Sequence, residues 1–379
     1  MAGLYLHIPF CKSRCVYCGF YSTTSLNSRQ QYVEALCMEM ELRPLATHSR
    51  KEETNGTREV METIYLGGGT PSQLTVQQLE RLFVSIYKIY NVSPQAEVTI
   101  ECNPDDVSPA FAEAIGQLPV NRVSMGAQTF QEQRLRFLRR RHTAEQVGQA
   151  VERLRQAGLR NISIDLIYGF PNETMEEWKQ DVDRALSMEV EHLSAYALSY
   201  EEGTPLFQML ERGQVEELDE ELQRDMYYYL KDKLQQAGYE HYEISNFAKP
   251  GYRSRHNSSY WNHTPYIGLG AGAHSFDGLN RSWNTADLNA YMDAISQGRV
   301  PADSETLDEV TLYNDIVMTA LRTCEGLDMS RLATDEQRYC LSEARKYLSC
   351  GWLQQEGHHL RLTRQGLFVS DRVMADLMK

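Results

Sequence analysis

The sequence predicts an α/β fold in which six strand and helix units form a partial barrel, followed by a smaller, mainly helical domain. Short apolar stretches rich in β-branched residues alternate with helical patterns, which is typical of a parallel sheet with right-handed crossovers. Nearly all unusual polar and glycine residues come at or just after the end of a different strand. This favours a barrel over an open doubly wound sheet, because barrel sites lie at the carboxyl ends of the strands.

The predicted core occupies residues 1–235. Its strands are Leu4–Ile8, Thr63–Leu66, Glu97–Glu101, Arg122–Met125, Asn161–Ile167 and His192–Leu198. Each combines apolar and β-branched residues between turn residues. Its helices include Arg29–Leu42, Val76–Tyr90, Ala144–Ala157 and Glu176–Leu186. In these segments the apolar residues recur with the helical period.

The pattern changes after about Tyr200. Residues 236–305 are predicted as a linker and an aromatic-rich segment. Residues 306–379 are predicted as a carboxyl-terminal helical or winged-helix-like domain. Thr311–Arg322 and Asp335–Leu348 have helical patterns, and Leu353–Leu362 is predicted to form two strands around Gly357.

The composition is that of a globular protein, with 42% hydrophobic and 24% charged residues. A net charge of −14 repels phosphates, so we expect no nucleic acid partner. There is neither an apolar run of roughly 20 residues nor a signal peptide, and we therefore expect a cytoplasmic protein. The basic run from Arg134 to Arg141 is either an anion site or a solvated helix face.

Three of the eight cysteines cluster in the loop after the first strand. Cys11, Cys15 and Cys18 have the spacing C-x3-C-x2-C. Three soft thiolates close in sequence select an iron–sulfur cluster or zinc. A structural zinc needs a fourth ligand, and the sequence has no partner pair at zinc-finger spacing. An iron–sulfur cubane held by three cysteines keeps one iron open, which the amine and carboxylate of an amino acid can chelate.

Other polar and glycine residues follow the later strands. Gly67, Gly68, Gly69 and Thr70 come after the second strand, and consecutive glycines let backbone atoms approach a ligand closely. Glu101, Gln128 and Asp165 come at the ends of the next three strands. A carboxylate in an apolar strand is costly unless it meets a partner or a ligand. We therefore expect these side chains to belong to one site.

The cysteine spacing, with an aromatic residue before the last cysteine, resembles the radical S-adenosylmethionine (SAM) family. The resemblance implies a partial TIM-like (β/α)6 radical SAM barrel, with a [4Fe–4S] cluster on Cys11, Cys15 and Cys18. It also implies a bound SAM that the reduced cluster cleaves to a 5′-deoxyadenosyl radical. The residues implied around SAM are Tyr5, Tyr17, Gly68, Gly69, Thr70, Glu101, Gln128, Arg140 and Asp165. Arg140 is implied near its carboxylate.

The strings from Tyr5 to about Pro205 resemble the branch of that family that contains the oxygen-independent coproporphyrinogen III dehydrogenase and the haem chaperone HemW. The dehydrogenases carry a fourth cysteine where this chain has Phe20, and a longer segment before the first strand. The chaperones carry the motif H-N-x-x-Y-W, which His256 to Trp261 match in full. The resemblance implies that His256, Tyr260 and Trp261 bind haem, since a neutral imidazole is a good axial ligand and aromatic rings suit a macrocycle.

The resemblance therefore implies a haem chaperone that binds haem, a [4Fe–4S] cluster and SAM and delivers haem to an acceptor haem protein. A membrane respiratory enzyme is one such acceptor, and the protein would then be peripheral at the membrane through its partner. A homodimer is left open, and no residue is assigned as catalytic. Two alternatives remain at this point, a coproporphyrinogen III dehydrogenase and a non-catalytic iron–sulfur protein.

Overall fold

A computed structural model of the chain describes residues 2–44 and 60–379. The strands of the main sheet are β1 (Ala2–Ile8), β2 (Val60–Gly68), β3 (Asn91–Cys102), β4 (Arg122–Gln128), β5 (Asn161–Tyr168), β6 (His192–Ala197), β7 (Glu240–Glu243), β8 (Asn246–Ala248), β9 (Tyr266–Leu269), β10 (His274–Phe276), β11 (Asn280–Asn284) and β12 (Ala302–Thr306). A small second sheet contains β13 (Leu327–Asp328), β14 (Leu353–Glu356) and β15 (His359–Leu362).

The helices lie mostly between these strands. They are α1 (Arg29–Leu42), α2 (Val76–Ile89), α3 (Pro109–Gly116), α4 (Glu132–Phe137), α5 (Ala144–Gln156), α6 (Met175–Ser187), α7 (Pro205–Glu211), α8 (Glu220–Gln236), α9 (Arg255–Trp261), α10 (Leu288–Ser296), α11 (Glu309–Ala320), α12 (Thr334–Ser349), α13 (Arg364–Leu367) and α14 (Ser370–Leu377). Within the described residues, no helix combines the length and the apolar character needed to cross a membrane.

Within residues 2–44 and 60–379, the main sheet has twelve strands, and its central six are β1 to β6 in chain order, all parallel. A doubly wound sheet would reverse its strand order partway, so the sequential order confirms the predicted partial barrel. β9 continues the sheet parallel to β1, and β10 to β12 follow it antiparallel. β8 and β7 extend the other side beyond β6. The barrel remains open, because β12 and β7 are the two edges of the sheet.

The six strands β7 to β12 were not predicted, although they come from the segment 236–305 that the sequence presents as a linker. The reason is their length, since the longest have five residues and are too short to show a period of two. The boundaries of that segment stay a prediction. The structure adds that much of the segment belongs to the same sheet as the barrel.

The two faces of the central strands differ in chemistry. In β1, Leu4, Leu6 and Ile8 are fully buried in the main hydrophobic core. Because side chains alternate along a strand, Tyr5 and His7 face the opposite way, into the barrel. The inward-facing positions of the other strands are largely polar, and they include Thr63, Tyr65, Glu97, Thr99, Glu101, Arg122, Ser124, Ser163 and Asp165. The interior of the barrel is therefore a polar chamber.

Side-chain caps fix where several barrel helices begin. Thr75, Thr143 and Thr174 each form a capping box with the residue three positions later. This arrangement satisfies backbone amides that the first helical turn leaves without partners. The helices α2, α5 and α6 consequently start at defined positions after the loops of the barrel.

The carboxyl-terminal part has its own hydrophobic cluster, which includes Tyr313, Val317, Cys340 and Leu360. The predicted helices are found as α11 and α12 within two residues of the expected ends, and the strands around Gly357 are β14 and β15. This part contacts the barrel through the Arg322 guanidinium, which donates to Glu243 at 2.9 Å. The winged-helix-like domain from residue 306 stays a prediction that this separate cluster supports.

Candidate functional site

A cavity of about 500 Å³ lies at the carboxyl ends of β1 to β6. All the residues predicted to hold the cluster and SAM line it, except Tyr5. They lie in the carboxyl-terminal halves of different strands or in the loops that follow them, and they meet because the carboxyl ends of parallel strands lie at one end of a barrel. The sequence prediction that these residues share one site therefore has the expected geometry.

The three cysteines lie on the loop that follows β1. The backbone amide of Cys11 donates to Thr23 O at 2.9 Å, and its Sγ lies 3.4 Å from Thr70 Oγ1. Burial raises the pKa values of the Cys11 and Cys18 thiols, so metal binding at this loop would have to release their protons. Among the described residues, no three His, Cys, Asp or Glu side chains converge closely enough to hold a single metal ion. A cubane does not require that convergence, because each cysteine binds a different iron.

The glycine turn after β2 packs directly against the cysteine loop. The Gly69 amide donates to Ile8 O at 2.9 Å, and a Cβ on Gly69 would lie 2.7 Å from the carbonyl carbon of Pro9. Gly68 has a φ of 105°, and a Cβ there would lie 2.5 Å from the His7 ring. Only glycine fits these two positions. The turn therefore brings its backbone to the cavity beside the cysteines.

Two carboxyl groups face the cavity from β3 and β5. Glu101 accepts hydrogen bonds from Tyr65 Oη at 2.7 Å and from the Gly68 amide at 3.1 Å. Burial and, to a smaller extent, the nearby Asp165 raise the pKa of Glu101 to about 7. Burial also raises the pKa of Asp165, whose carboxylate accepts from Ser124 Oγ at 3.3 Å. Buried carboxylates of this kind suit a ligand that brings ammonium, sulfonium or hydroxyl groups.

Arg140 supplies a buried cation on the other side of the cavity. Its Nη2 donates to Gly126 O at 2.6 Å and to Asn103 Oδ1 at 2.7 Å, and its Nη1 lies 3.6 Å from Cys15 Sγ. Its Nε is buried and has no hydrogen-bond partner in the part of the chain that the structure describes. This unused donor fits the predicted role beside a ligand carboxylate. Asn103, which lines the cavity, was not among the predicted site residues.

Gln128 and Tyr17 complete the predicted lining. Gln128 ends β4 with a φ of 69°, which is the left-handed region that residues other than glycine rarely adopt. Such strain often marks a functional position, and it was not visible in the sequence. Burial raises the pKa of Tyr17, whose loop is fixed by a hydrogen bond from the Val16 amide to Leu138 O at 3.3 Å.

Tyr5 lies one layer below the cavity. Its hydroxyl lies 3.0 Å from His7 Nδ1, and its ring stacks on Tyr65 with centroids 6.2 Å apart. Direct contact between Tyr5 and SAM stays a prediction. In the structure, Tyr5 contacts Tyr65, and Tyr65 lines the cavity.

The H-N-x-x-Y-W motif forms helix α9, which packs against the inner face of β2. The amides of Arg255 and His256 both donate to the Glu97 carboxylate at 2.9 Å. His256 is 1% exposed, with Nδ1 2.8 Å from Thr63 Oγ1 and Nε2 2.9 Å from Tyr260 Oη. Burial lowers its pKa to about 3, so the imidazole is neutral. Iron could bind this imidazole only after one of its two hydrogen bonds is released.

The other two motif residues face different neighbours. The Tyr260 ring packs edge-on against Tyr266 with centroids 4.8 Å apart, and the Arg322 guanidinium lies 4.9 Å from the centre of the Trp261 ring. None of the three predicted haem residues lines the cavity, whereas Asn257 of the same motif does. Haem binding by His256, Tyr260 and Trp261 stays a prediction, and in this conformation the three side chains do not share one open surface.

Comparison with known protein families gives two matches. Residues 5–185 match the Radical SAM superfamily, and residues 307–369 match the HemN C-terminal domain. The first match contains all the residues that line the cavity up to Asp165, and the second lies within the part of the chain that has the separate hydrophobic cluster.

Several curated relatives span most of the chain. The heme chaperone HemW of Lactococcus lactis is 37% identical over 85% of this chain and 82% of its own length. The heme chaperone HemW of Mycobacterium tuberculosis is 33% identical over 99% of this chain and 94% of its own length. The heme chaperone HemW of Bacillus subtilis is 33% identical over 88% of this chain and 86% of its own length.

Among solved structures, the fold is similar to that of coproporphyrinogen III oxidase (HemN) from Escherichia coli, a radical SAM enzyme. The TM-score is 0.84, and the match covers 100% of this chain and 90% of that one. Only 22% of residues are identical, so this similarity shows the fold alone. The cysteine loop, the cavity and the extent of the curated matches agree, and the chain belongs to the HemW branch of the radical SAM superfamily.

Proposed function

We propose that the protein is a haem chaperone, which binds haem and passes it to an acceptor haem protein while holding a [4Fe–4S] cluster and SAM in the cavity. The observation that carries the proposal is the relationship to HemW proteins over 85% to 99% of the chain, combined with a cavity that holds the residues expected for cluster and SAM. Membership in the radical SAM superfamily supports the binding of a [4Fe–4S] cluster and of SAM. Haem and its delivery rest on the names of the relatives and on the motif.

In this proposal, each group of residues has a distinct task at the cavity. Cys11, Cys15 and Cys18 hold the cluster, and the glycine turn presents its backbone to the amino group of SAM. Arg140 binds the SAM carboxylate, while Glu101 and Asp165 bind the cationic and hydroxyl groups. With the cluster bound and reduced, one-electron cleavage of the SAM sulfonium becomes available at this site.

The cellular setting of the proposal also follows from chemistry. All eight cysteines are free thiols in the structure, which suits a reducing compartment such as the cytoplasm. The acceptor that we propose is a haem enzyme, for example a respiratory enzyme in the membrane. The chaperone would then meet the membrane through that partner, and it could do so as a monomer or as a homodimer.

The experiment that tests this function is an anaerobic haem titration of the reconstituted protein, with and without SAM, followed by mixing with a haem-free acceptor. We expect a saturable Soret band and its transfer to the acceptor. The absence of haem binding would contradict the proposal. A Cys11→Ser variant, prepared in the same way, shows whether the cluster is needed for binding or for transfer.

A matched assay with coproporphyrinogen III tests the dehydrogenase alternative. Phe20 stands where the dehydrogenases carry a fourth cysteine, and we therefore expect no decarboxylation. Loss of two carboxylates per substrate, followed by mass spectrometry, would instead establish an enzyme. The likeness to HemN does not bear on this choice, because it shows the fold alone.

A further inference from the structure

The mouth of the cavity is bordered by exposed residues of two loops. Phe20, from the cysteine loop, is 70% exposed, and Arg14 and Arg139 are also exposed, yet all three line the cavity. We propose that Arg14, Phe20 and Arg139, called here the rim, form a docking site for haem. In this proposal, which rests on the proposed function, the two guanidiniums meet the propionates and the Phe20 ring lies against the macrocycle.

The charge of the rim favours an anionic ligand. Arg14 and Arg139 have no ion pair and no side-chain hydrogen bond in the described parts of the chain. Their cationic neighbours differ, since Lys12 pairs with Asp106 at 2.9 Å and Arg141 pairs with Asp105. Of the carboxylates that line the cavity only Glu201, beside Gly19, is exposed, so the two unpaired guanidiniums outnumber it at the mouth. In a chain of net charge −14, they are a local attraction for anions. Guanidinium groups also match carboxylates well as hydrogen-bond donors.

The backbone of Arg139 has a conformation that an arginine rarely adopts. The amides of Arg139 and Arg140 donate to Arg136 O and Leu135 O, at 3.0 and 2.8 Å, which are the two hydrogen bonds of a Schellman motif after α4. The residue with left-handed φ in this motif is usually glycine, but Arg139 adopts it with φ of 60°. The chain thus carries backbone strain at a position where glycine would relieve it. The exposed Arg139 side chain lines the cavity at its mouth.

Exposed aromatic rings line the same cavity. Phe20 presents an aromatic ring to solvent at the edge of the cavity, and Tyr196 faces the cavity from β6 and is 42% exposed. Aromatic rings stack well on flat macrocycles. Two cations beside an exposed ring fit a planar, apolar ligand with two carboxylates, which is the chemistry of haem. A position at the mouth also leaves the inner cavity to the cluster and SAM.

The test compares two probes on the reconstituted holoprotein, haem and haem dimethyl ester, in which both propionates are esterified. Arg14→Gln and Arg139→Gln replace the guanidinium with a shorter, uncharged polar side chain, and at residue 139 the backbone demand stays that of a residue other than glycine. We expect each to weaken haem binding about two- to fivefold, with the ester unaffected. Phe20→Ser should weaken both probes. Arg136→Gln is the matched control, because Arg136 is exposed on α4 and does not line the cavity.

The outcomes separate this proposal from the proposed function. If the wild-type protein does not bind haem, the proposed function fails. If it binds haem and the double variant Arg14→Gln with Arg139→Gln binds equally well, the rim proposal is overturned while the function stands. If that double variant binds haem normally but slows cluster reduction by an acidic electron-carrier protein, the rim belongs to the reductant and the haem proposal is likewise overturned.

Discussion

The imidazole of His256 stacks on the phenol ring of Tyr65, with centroids 5.0 Å apart and ring planes 23° apart. Tyr65 in turn donates to Glu101 at 2.7 Å, and Glu101 accepts from the Gly68 amide at 3.1 Å. The haem-chaperone motif and the predicted SAM cavity are therefore connected by direct contacts. A change at His256 should affect the position of Glu101 even though His256 does not line the cavity.

We predict that His256→Ala destabilises the protein by about 2 to 4 kcal/mol, because it empties a buried, well-packed site. The same change should weaken SAM binding at least about threefold, since Tyr65 loses its stacking partner. Thermal unfolding and the SAM-induced change in the EPR signal measure the two effects. Trp261→Phe is the control, because the Trp261 ring packs against the Arg322 guanidinium. Unchanged SAM affinity in His256→Ala would refute the connection.

Haem titration of His256→Ala and Tyr65→Phe separates two roles of the motif. If His256 binds haem iron, as the motif implies, His256→Ala shifts the Soret band while Tyr65→Phe, which retains the imidazole, leaves it unchanged. The iron–sulfur cluster should remain intact in both variants. An unchanged haem titration in both would leave His256 with its structural contacts to Thr63, Tyr65 and Tyr260 alone.

We predict that SAM affinity rises with pH through neutrality. Burial raises the pKa of Glu101 to about 7, so the carboxyl is mostly protonated at pH 6 and mostly ionised at pH 8. SAM carries positive charge, and its affinity should increase about tenfold over that interval if the ionised form is required. Glu101→Gln should abolish most of the dependence. A wild-type affinity that is flat between these values would contradict the assignment.

The same pKa shift has a consequence for the stability of the protein without ligands. The folded-state pKa of Glu101 lies above its ordinary value of 4.5. The contribution of Glu101 to the free energy of unfolding is therefore fully present below pH 4.5 and is lost as the pH rises to about 7. Glu101→Gln should therefore reduce the fall in unfolding free energy over that interval. Chemical denaturation at a series of pH values measures the difference.

We predict that Arg140→Met lowers SAM affinity by about tenfold or more without preventing cluster assembly. The change removes the buried cation that the SAM carboxylate would meet, and it leaves Gly126 O and Asn103 Oδ1 without their donor. Arg141→Gln is the control, because that guanidinium pairs with Asp105 and Asp106 instead. Equal losses in both variants would mean that general charge, rather than Arg140 itself, is responsible.

The fold and most of the cavity were predictable because their signals are local. The cysteine spacing, the glycine turn and the polar residues at strand ends can be seen in short stretches of sequence. Parallel strands then bring Glu101, Gln128 and Asp165 to one end of the barrel. The basic run Arg134 to Arg141 is different, because its local pattern left two interpretations open. Only tertiary structure turns Arg140 inward and leaves Arg139 at the rim.

What the sequence did not indicate depends on contacts between distant segments. The motif H-N-x-x-Y-W identifies His256 but not that Thr63, on a strand far earlier in the chain, occupies its Nδ1. The contact of Asn103 with Arg140 is of the same kind. The sequence also does not indicate the left-handed backbone of Arg139, because glycine is the residue expected in that conformation after a helix.

The most direct test of the account concerns the open iron on Cys11, Cys15 and Cys18. Oxygen-free reconstitution, metal analysis and EPR of the reduced protein with and without SAM measure it, with Cys350→Ser, at an exposed thiol, as the control. We predict about four irons per chain and an EPR signal that SAM alters, both lost when the three cysteines are changed to serine. Zinc in place of iron, or a cluster signal indifferent to SAM, would contradict the account.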